Sequence, residues 1–160
     1  MIEQDLRSQL YASFKNRAMM YYHIFDELRQ EVGEEKATEI MKRAIHKRGR
    51  VIGEQFAKHA PSDLQGLKET FLAGIPDQGR MFDPEVRRCD AGCIEIKFHR
   101  CPLKEAWQEA GLNDVEVAKM TEIASSVDHG TFEGAGFTFS TETWKPGREG
   151  CCHLAIRAGK

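Results

Sequence analysis

Along the first sixty residues, apolar side chains return every three or four positions; from residue 93 onward, stretches appear in which they return at every second. Leu6, Leu10, Phe14, Ala18, Tyr21, Phe25, Leu28 and Val32 form one helical stripe, the pattern of an amphipathic helix with one buried face. Gly33 stops it. Ala37, Ile40, Met41, Ala44, Ile45, Val51, Ile52 and Phe56 make a second stripe, weakened by Gly49 and Gly53 and ended by Pro61. Ser62 and Gln65 have the spacing of a capping box and open a short helix through Leu64, Leu67 and Phe71. Gly74, Pro76 and Gly79 mark a loop.

Residues 81–89 read as a weak strand that Pro84 assigns to a sheet edge, and Asp90-Ala91-Gly92 reads as a turn. Residues 93–99 alternate, with Ile94, Ile96 and Phe98 on one face and Glu95, Lys97 and His99 on the other. A helix follows Cys101 and buries Leu103, Ala106 and Trp107. Asn113 with Glu116 caps the next helix, whose apolar face is Val117, Met120, Ile123, Ala124 and Val127 and whose end is placed at Asp128-His129-Gly130. Residues 132–143 read as strand, loosened by Gly134 and Gly136. After a hairpin loop at 145–150, the last strand sets Cys152, Leu154 and Ile156 against Cys151, His153 and Ala155 on the opposite face. The pattern predicts an α+β fold: N-terminal helices, then a small antiparallel sheet of about four strands with helices on one face. Residues 1–76 form the helical part and 77–160 the α+β part that carries the chemistry, within one compact domain.

Composition narrows the function classes. A formal charge of −2 gives no general attraction to nucleic acid, and the cluster Lys47, Arg48 and Arg50 reads as a solvated helix face. No apolar run reaches the length of a membrane span, and the acidic N-terminus does not read as a signal peptide. The expected setting is the cytoplasm, with a small-molecule substrate as partner, no nucleic acid and no membrane; the long apolar stripe of the first helix leaves room for a homo-oligomer. Five cysteines, all after residue 88 and with no Cys-x-x-Cys pair, argue against a disulfide framework and place any thiol chemistry in the C-terminal half.

Pro102 suits the first position of a helix, which makes Cys101 the residue that caps it. Cysteine is a poor cap, but a thiol there lies over unpaired N–H groups and the positive end of the helix dipole, which favours thiolate. Cys101 is thus a nucleophile, a metal ligand, or a small buried apolar residue. If the last strand turns Leu154 and Ile156 toward the helices, Cys152 follows. Asp128, at the expected end of a helix, gains nothing from the dipole there. Cys101, Asp128 and Cys152 are therefore expected to share one pocket between sheet and helices. They would act either as a catalytic set, with Cys101 as nucleophile and Asp128 moving protons, or as ligands of a divalent metal such as zinc. His129, beside Asp128, and Arg17, near the buried stripe, are the candidate substrate-binding residues; Arg17 would hold a carboxylate or pair with a neighbouring helix.

The run Phe98-His99-Arg100-Cys101-Pro102-Leu103 with Ala106-Trp107, then Gly111-Leu112, Asp128 and the ending Gly150-Cys151-Cys152-His153-Leu154-Ala155-Ile156, resembles the L-2-amino-thiazoline-4-carboxylic acid hydrolase family. In that register Cys152 takes the place of the family cysteine, because Leu154 and Ile156 fall at plus two and plus four. The resemblance implies a hydrolase that opens a small polar heterocycle at a cyclic amidine or amide C–N or C–S bond. For a thiazoline carboxylate the product is an N-carbamoyl amino acid. The ending also resembles the four-vinyl-reductase type of small-molecule-binding domain, which implies the alternative of a non-catalytic sensor or carrier for a small ligand or metal.

Overall fold

The computed structural model describes residues 2–160. Two long helices come first, α1 (Ile2–Val32) and α2 (Glu34–Gly53), broken at Gly33, whose φ of 87° is one that a side chain would resist. A 3-10 segment (Glu54–His59) leads to α3 (Leu64–Ala73), and a second, Asp77–Gly79, leads into the strands. The strands β1 (Pro84–Cys89), β2 (Ile94–Phe98), β3 (Thr138–Glu142) and β4 (Cys152–Arg157) form one antiparallel sheet in the order β1-β2-β4-β3. Between β2 and β3 run α4 (Pro102–Glu109), α5 (Asp114–Ala124) and α6 (Ser126–Ala135). This is the expected α+β arrangement, with helices first and then a four-stranded antiparallel sheet against which helices pack. Pro84 does lie on an edge strand, where its missing N–H interrupts no ladder.

Register places Phe98 opposite Cys152, Ile96 opposite Leu154 and Ile94 opposite Ile156, so the alternating apolar residues of β2 and β4 share one face. That face joins Phe25 of α1, Met41 of α2, Leu67 of α3, Trp107 of α4 and Phe132 of α6 in one contiguous core. Trp107 is fully buried, and its indole N–H donates to the Ala18 carbonyl at 2.8 Å, tying α4 to α1.

Three departures from the expected pattern matter. The cap of α3 is Asp63, whose side chain accepts from the Gly66 N–H at 3.0 Å, not a Ser62–Gln65 box. The helix that begins after Asn113 ends at Ala124 rather than at Asp128. A further helix, α6, then occupies residues read as a helix end and the start of a strand, and β3 begins only at Thr138.

Packing against α2 explains why α6 forms in spite of Gly130 and Gly134. A Cβ on Gly130 would lie 2.2 Å from the His46 carbonyl oxygen, one on Gly49 2.2 Å from that of Val127, and one on Gly53 2.2 Å from that of Thr131. The glycines that lower helix propensity are the ones that let the two backbones touch. Tertiary contact outweighs a propensity cost of roughly 1 kcal/mol per glycine.

A cavity that joins thiols to an unpaired carboxylate

Cys101 has the extended backbone of an N-cap (φ −150°, ψ 116°), and Pro102 opens α4 as expected. Its sulfur closes no formal cap hydrogen bond, yet it sits over the N–H groups of Leu103 and Lys104. The dominant influence on it is the neighbouring Cys151 thiol, which acts as hydrogen-bond donor to the Cys101 sulfur. Together with those backbone groups and the Lys104 charge, it holds the Cys101 thiol below the ordinary range in spite of burial. Cys151 is pushed the other way by Cys101, then Cys152, then burial, and keeps its proton.

The segment that carries Cys151 is anchored to the start of α4. The Cys151 N–H donates to the Phe98 carbonyl at 2.9 Å, the Lys97 ammonium to the Glu149 carbonyl at 2.9 Å, and the Lys104 ammonium to the Gly150 carbonyl. These links bring residues 97–104 and 149–151 together.

Cys101, Cys151, Cys152 and Asp128 all line one cavity of about 320 Å³, a volume suited to a small ligand. Its walls are mainly apolar. Phe71 and Phe82 pack on Phe98 with ring centroids 6.4 and 5.3 Å away, and Phe14, Phe56 and Trp107 line it as well. Arg17 is an exposed residue that nonetheless belongs to the lining, its guanidinium 4.6 Å from the Phe14 ring centre and engaged with no carboxylate among the described residues.

Asp128 lies in the first turn of α6, not at the end of a helix. The dipole there favours its ionised form, so the expectation that helix stability disfavours an acid at this position is corrected. Its carboxyl has no hydrogen-bond or ion-pair partner among the described residues. The accessible surface it keeps belongs to the cavity lining, and burial pushes its pKa up to about 7.

His129 is the next residue along α6 and points elsewhere, because successive helical residues are about 100° apart. Its Nδ1 lies 3.1 Å from Glu133 Oε1 and its ring stands edge-on to Phe139, 4.8 Å between centres. It lines a separate polar cleft of about 450 Å³ with Lys42, Arg43, His46 and Glu133. The structure thus brings Cys101, Asp128 and Cys152 to one cavity, with Arg17 at its wall, and separates His129 from them.

Cys151 is the site residue that strand alternation misplaced. Alternation assigns it to the face opposite Cys152, but β4 begins at Cys152, and Gly150 just before it has φ 71°. The chain bends there, the two-residue period does not reach back to 151, and both thiols line the cavity. The doubled cysteine directly after a glycine is the signal that could have raised this. Among the described residues, no three His, Cys, Asp or Glu side chains are grouped to hold a metal ion. No helix is long and apolar enough to cross a membrane.

Fold and cavity define a class: an α+β domain whose helices and sheet enclose an apolar chamber carrying thiols and a carboxylate. A sequence profile of the L-2-amino-thiazoline-4-carboxylic acid hydrolase family matches residues 13–155, and the chain belongs to that family. A search of curated proteins finds no match. Among solved structures, a trafficking protein particle complex subunit 3 from Naegleria fowleri, crystallised covalently bound to palmitic acid, is similar in fold. It has a TM-score of 0.58 and 12% identity, with 93% of this chain and 96% of that chain covered.

Proposed function

We propose that the protein is a hydrolase that opens a small polar heterocycle, a thiazoline carboxylate or a close analogue, inside the cavity shared by Cys101 and Asp128. The observation that supports this most is the opposite tuning of the two groups in one cavity. A thiol is held toward thiolate by a neighbouring S–H and a helix N-terminus, and burial raises a carboxyl that has no partner to a pKa of about 7. Perturbed titratable groups that meet in one cavity, a thiol moved down and a carboxyl moved up toward the working pH, point to nucleophile and acid–base roles.

In this reading the Cys101 thiolate adds to the amidine carbon of the ring. The tetrahedral centre collapses by breaking the ring C–S bond, and protonated Asp128 supplies the proton to the departing sulfur. The substrate is then held to Cys101 as an isothiourea. Asp128, now a carboxylate, takes a proton from water as its oxygen attacks the same carbon, and Cys101 leaves. The product is an N-carbamoyl amino acid with a free thiol. Arg17 at the cavity wall anchors the substrate carboxylate, and Cys152 shapes the wall beside the nucleophile. His129 has no part in this reaction, and no step needs a metal.

Turnover of 2-amino-thiazoline-4-carboxylate, followed by appearance of N-carbamoyl-cysteine, tests the proposal. Cys101→Ser and Asp128→Asn are each expected to lose about 10²-fold or more in kcat, with unchanged far-UV and near-UV dichroism. Full turnover by a folded Cys101→Ser variant would remove the nucleophile from the scheme. The pH profile carries the sign: kcat/KM falls as pH rises through about 7, because Asp128 must begin protonated.

A second reading has its own support in the apolar walls. A thiolate-favoured cysteine opening into an aromatic chamber also suits a thioester to a fatty acyl chain, the kind of ligand named for the structural relative from Naegleria fowleri. Intact mass of the protein after incubation with an acyl-coenzyme A separates the two. Stable acylation at Cys101 without thiazoline turnover would favour the carrier reading.

A further inference from the structure

Cys151 takes no covalent part in the hydrolytic scheme, yet it lines the same cavity as Cys101 and acts on that sulfur more strongly than any other group. The two lie 50 residues apart in sequence, and the contacts between 97–104 and 149–151 press their segments together. Gly150 stands against His99, where a Cβ would meet the His99 Cα at 3.1 Å, so the approach leaves little slack. Cys101 retains accessible surface on the cavity while Cys151 is 1% exposed. One thiol is open to a small reagent and the other lines the same cavity almost without exposure.

We propose that Cys101 and Cys151 form a redox pair, in which a hydroperoxide oxidises Cys101 and Cys151 resolves the product into an intramolecular disulfide. The Cys101 thiolate attacks the peroxide, the O–O bond breaks and an S–O bond forms. Sulfur loses two electrons, and hydroxide, or an alkoxide from an organic peroxide, departs. The Cys151 sulfur then attacks the Cys101 sulfenic acid. Its proton leaves with the hydroxyl as water, and an S–S bond remains.

The local chemistry suits the order of events. Cys151 holds its proton chiefly because it faces the Cys101 sulfur. Once Cys101 carries a neutral S–OH, the largest influence holding the proton on Cys151 is removed, while Cys152 and burial still act. Cys152 is a poorer resolver, since β4 fixes it opposite Phe98 in the ladder, and a Cys151–Cys152 link would distort the peptide between adjacent residues. The inference rests on the reading of Cys101 as the reactive thiol of the site. Its consequence is a hydrolase silenced by peroxide and restored by a thiol reductant.

The test uses the full chain, reduced, desalted and treated with a small excess of hydrogen peroxide without substrate. Unreduced peptide mapping is expected to find Cys101 joined to Cys151, with loss of two hydrogens from the intact mass reversed by dithiothreitol. In Cys151→Ala the sulfenic acid should persist and be labelled by dimedone at Cys101, and Cys101→Ser should show neither product. Linkage of Cys101 to Cys152, linkage of Cys151 to Cys152, or over-oxidation of Cys101 with Cys151 still free would overturn the proposal. If Cys151→Ala does not fold, the wild-type map decides alone. Because the readout is mass, the pair stands or falls separately from thiazoline turnover: a Cys101–Cys151 link in a protein that turns over no heterocycle would sink the hydrolase reading and leave the redox pair.

Discussion

Helix α6 borders two hollows of different character, and adjacent residues on it, Asp128 and His129, line one each. On the cleft side, polar groups find partners: Lys42 pairs with Glu122, and both His46 (3.5 Å) and His129 (3.1 Å) meet Glu133. On the cavity side, Asp128 shares its hollow with aromatic rings and thiols and pairs with no cation among the described residues. The cleft is a solvated surface whose ion pairs contribute little to stability. The cavity keeps an acid where folding alone would remove it, because an unpaired buried carboxylate costs free energy. A buried acid without a partner is a better pointer to chemistry than a larger hollow whose lysine and histidines meet carboxylates.

The sharpest way to break that comparison is Asp128→Asn measured by stability. The carboxyl has its folded pKa raised from 3.8 to about 7. The native state therefore binds the proton more tightly, and its contribution is fully present below about pH 4 and lost as pH rises through about 7. At pH 8 the wild type should be less stable than Asp128→Asn by up to about 4 kcal/mol, reduced by whatever water in the cavity supplies. Urea unfolding from pH 4 to 8 reads this directly. A wild type and variant with parallel profiles would mean that Asp128 is solvated like the acids of the cleft.

Next in size is the seam that orients α6. Gly130→Ala drives a Cβ into the His46 carbonyl, 2.2 Å away with backbone on both sides. A loss of about 1–3 kcal/mol is expected, seen as a lower urea midpoint at unchanged slope, with turnover reduced because Asp128 moves with the helix. Smallest is Glu133→Gln, which removes the partner of both histidines. It should shift stability by less than about 1 kcal/mol at pH 6 and leave turnover untouched. An effect on turnover as large as that of Asp128→Asn would make the cleft part of the site.

Local rules reached some residues and not others. Pro102 announced its own helix and so placed Cys101 at the cap, and the alternation of Ile94, Ile96 and Phe98 gave the buried face of β2. Both signals lie within a few residues of what they determine. Helix α6 was missed because Gly130 and Gly134 read as breakers, and their purpose exists only in the contact with α2, some 80 residues earlier. The error carried Asp128 to the wrong end of a helix and attached His129 to the wrong hollow.

The sequence by itself determined the helical stripes, the edge position of Pro84, the cysteine at the start of α4 and the family to which the chain belongs. Those follow from backbone sterics, side-chain period and motif order, which are properties of neighbouring residues. Tertiary structure alone decided that Cys151 joins Cys101, that Asp128 is left without a partner and that His129 turns away. Each of these depends on which distant segments exclude water from a side chain, and only the packed chain settles that.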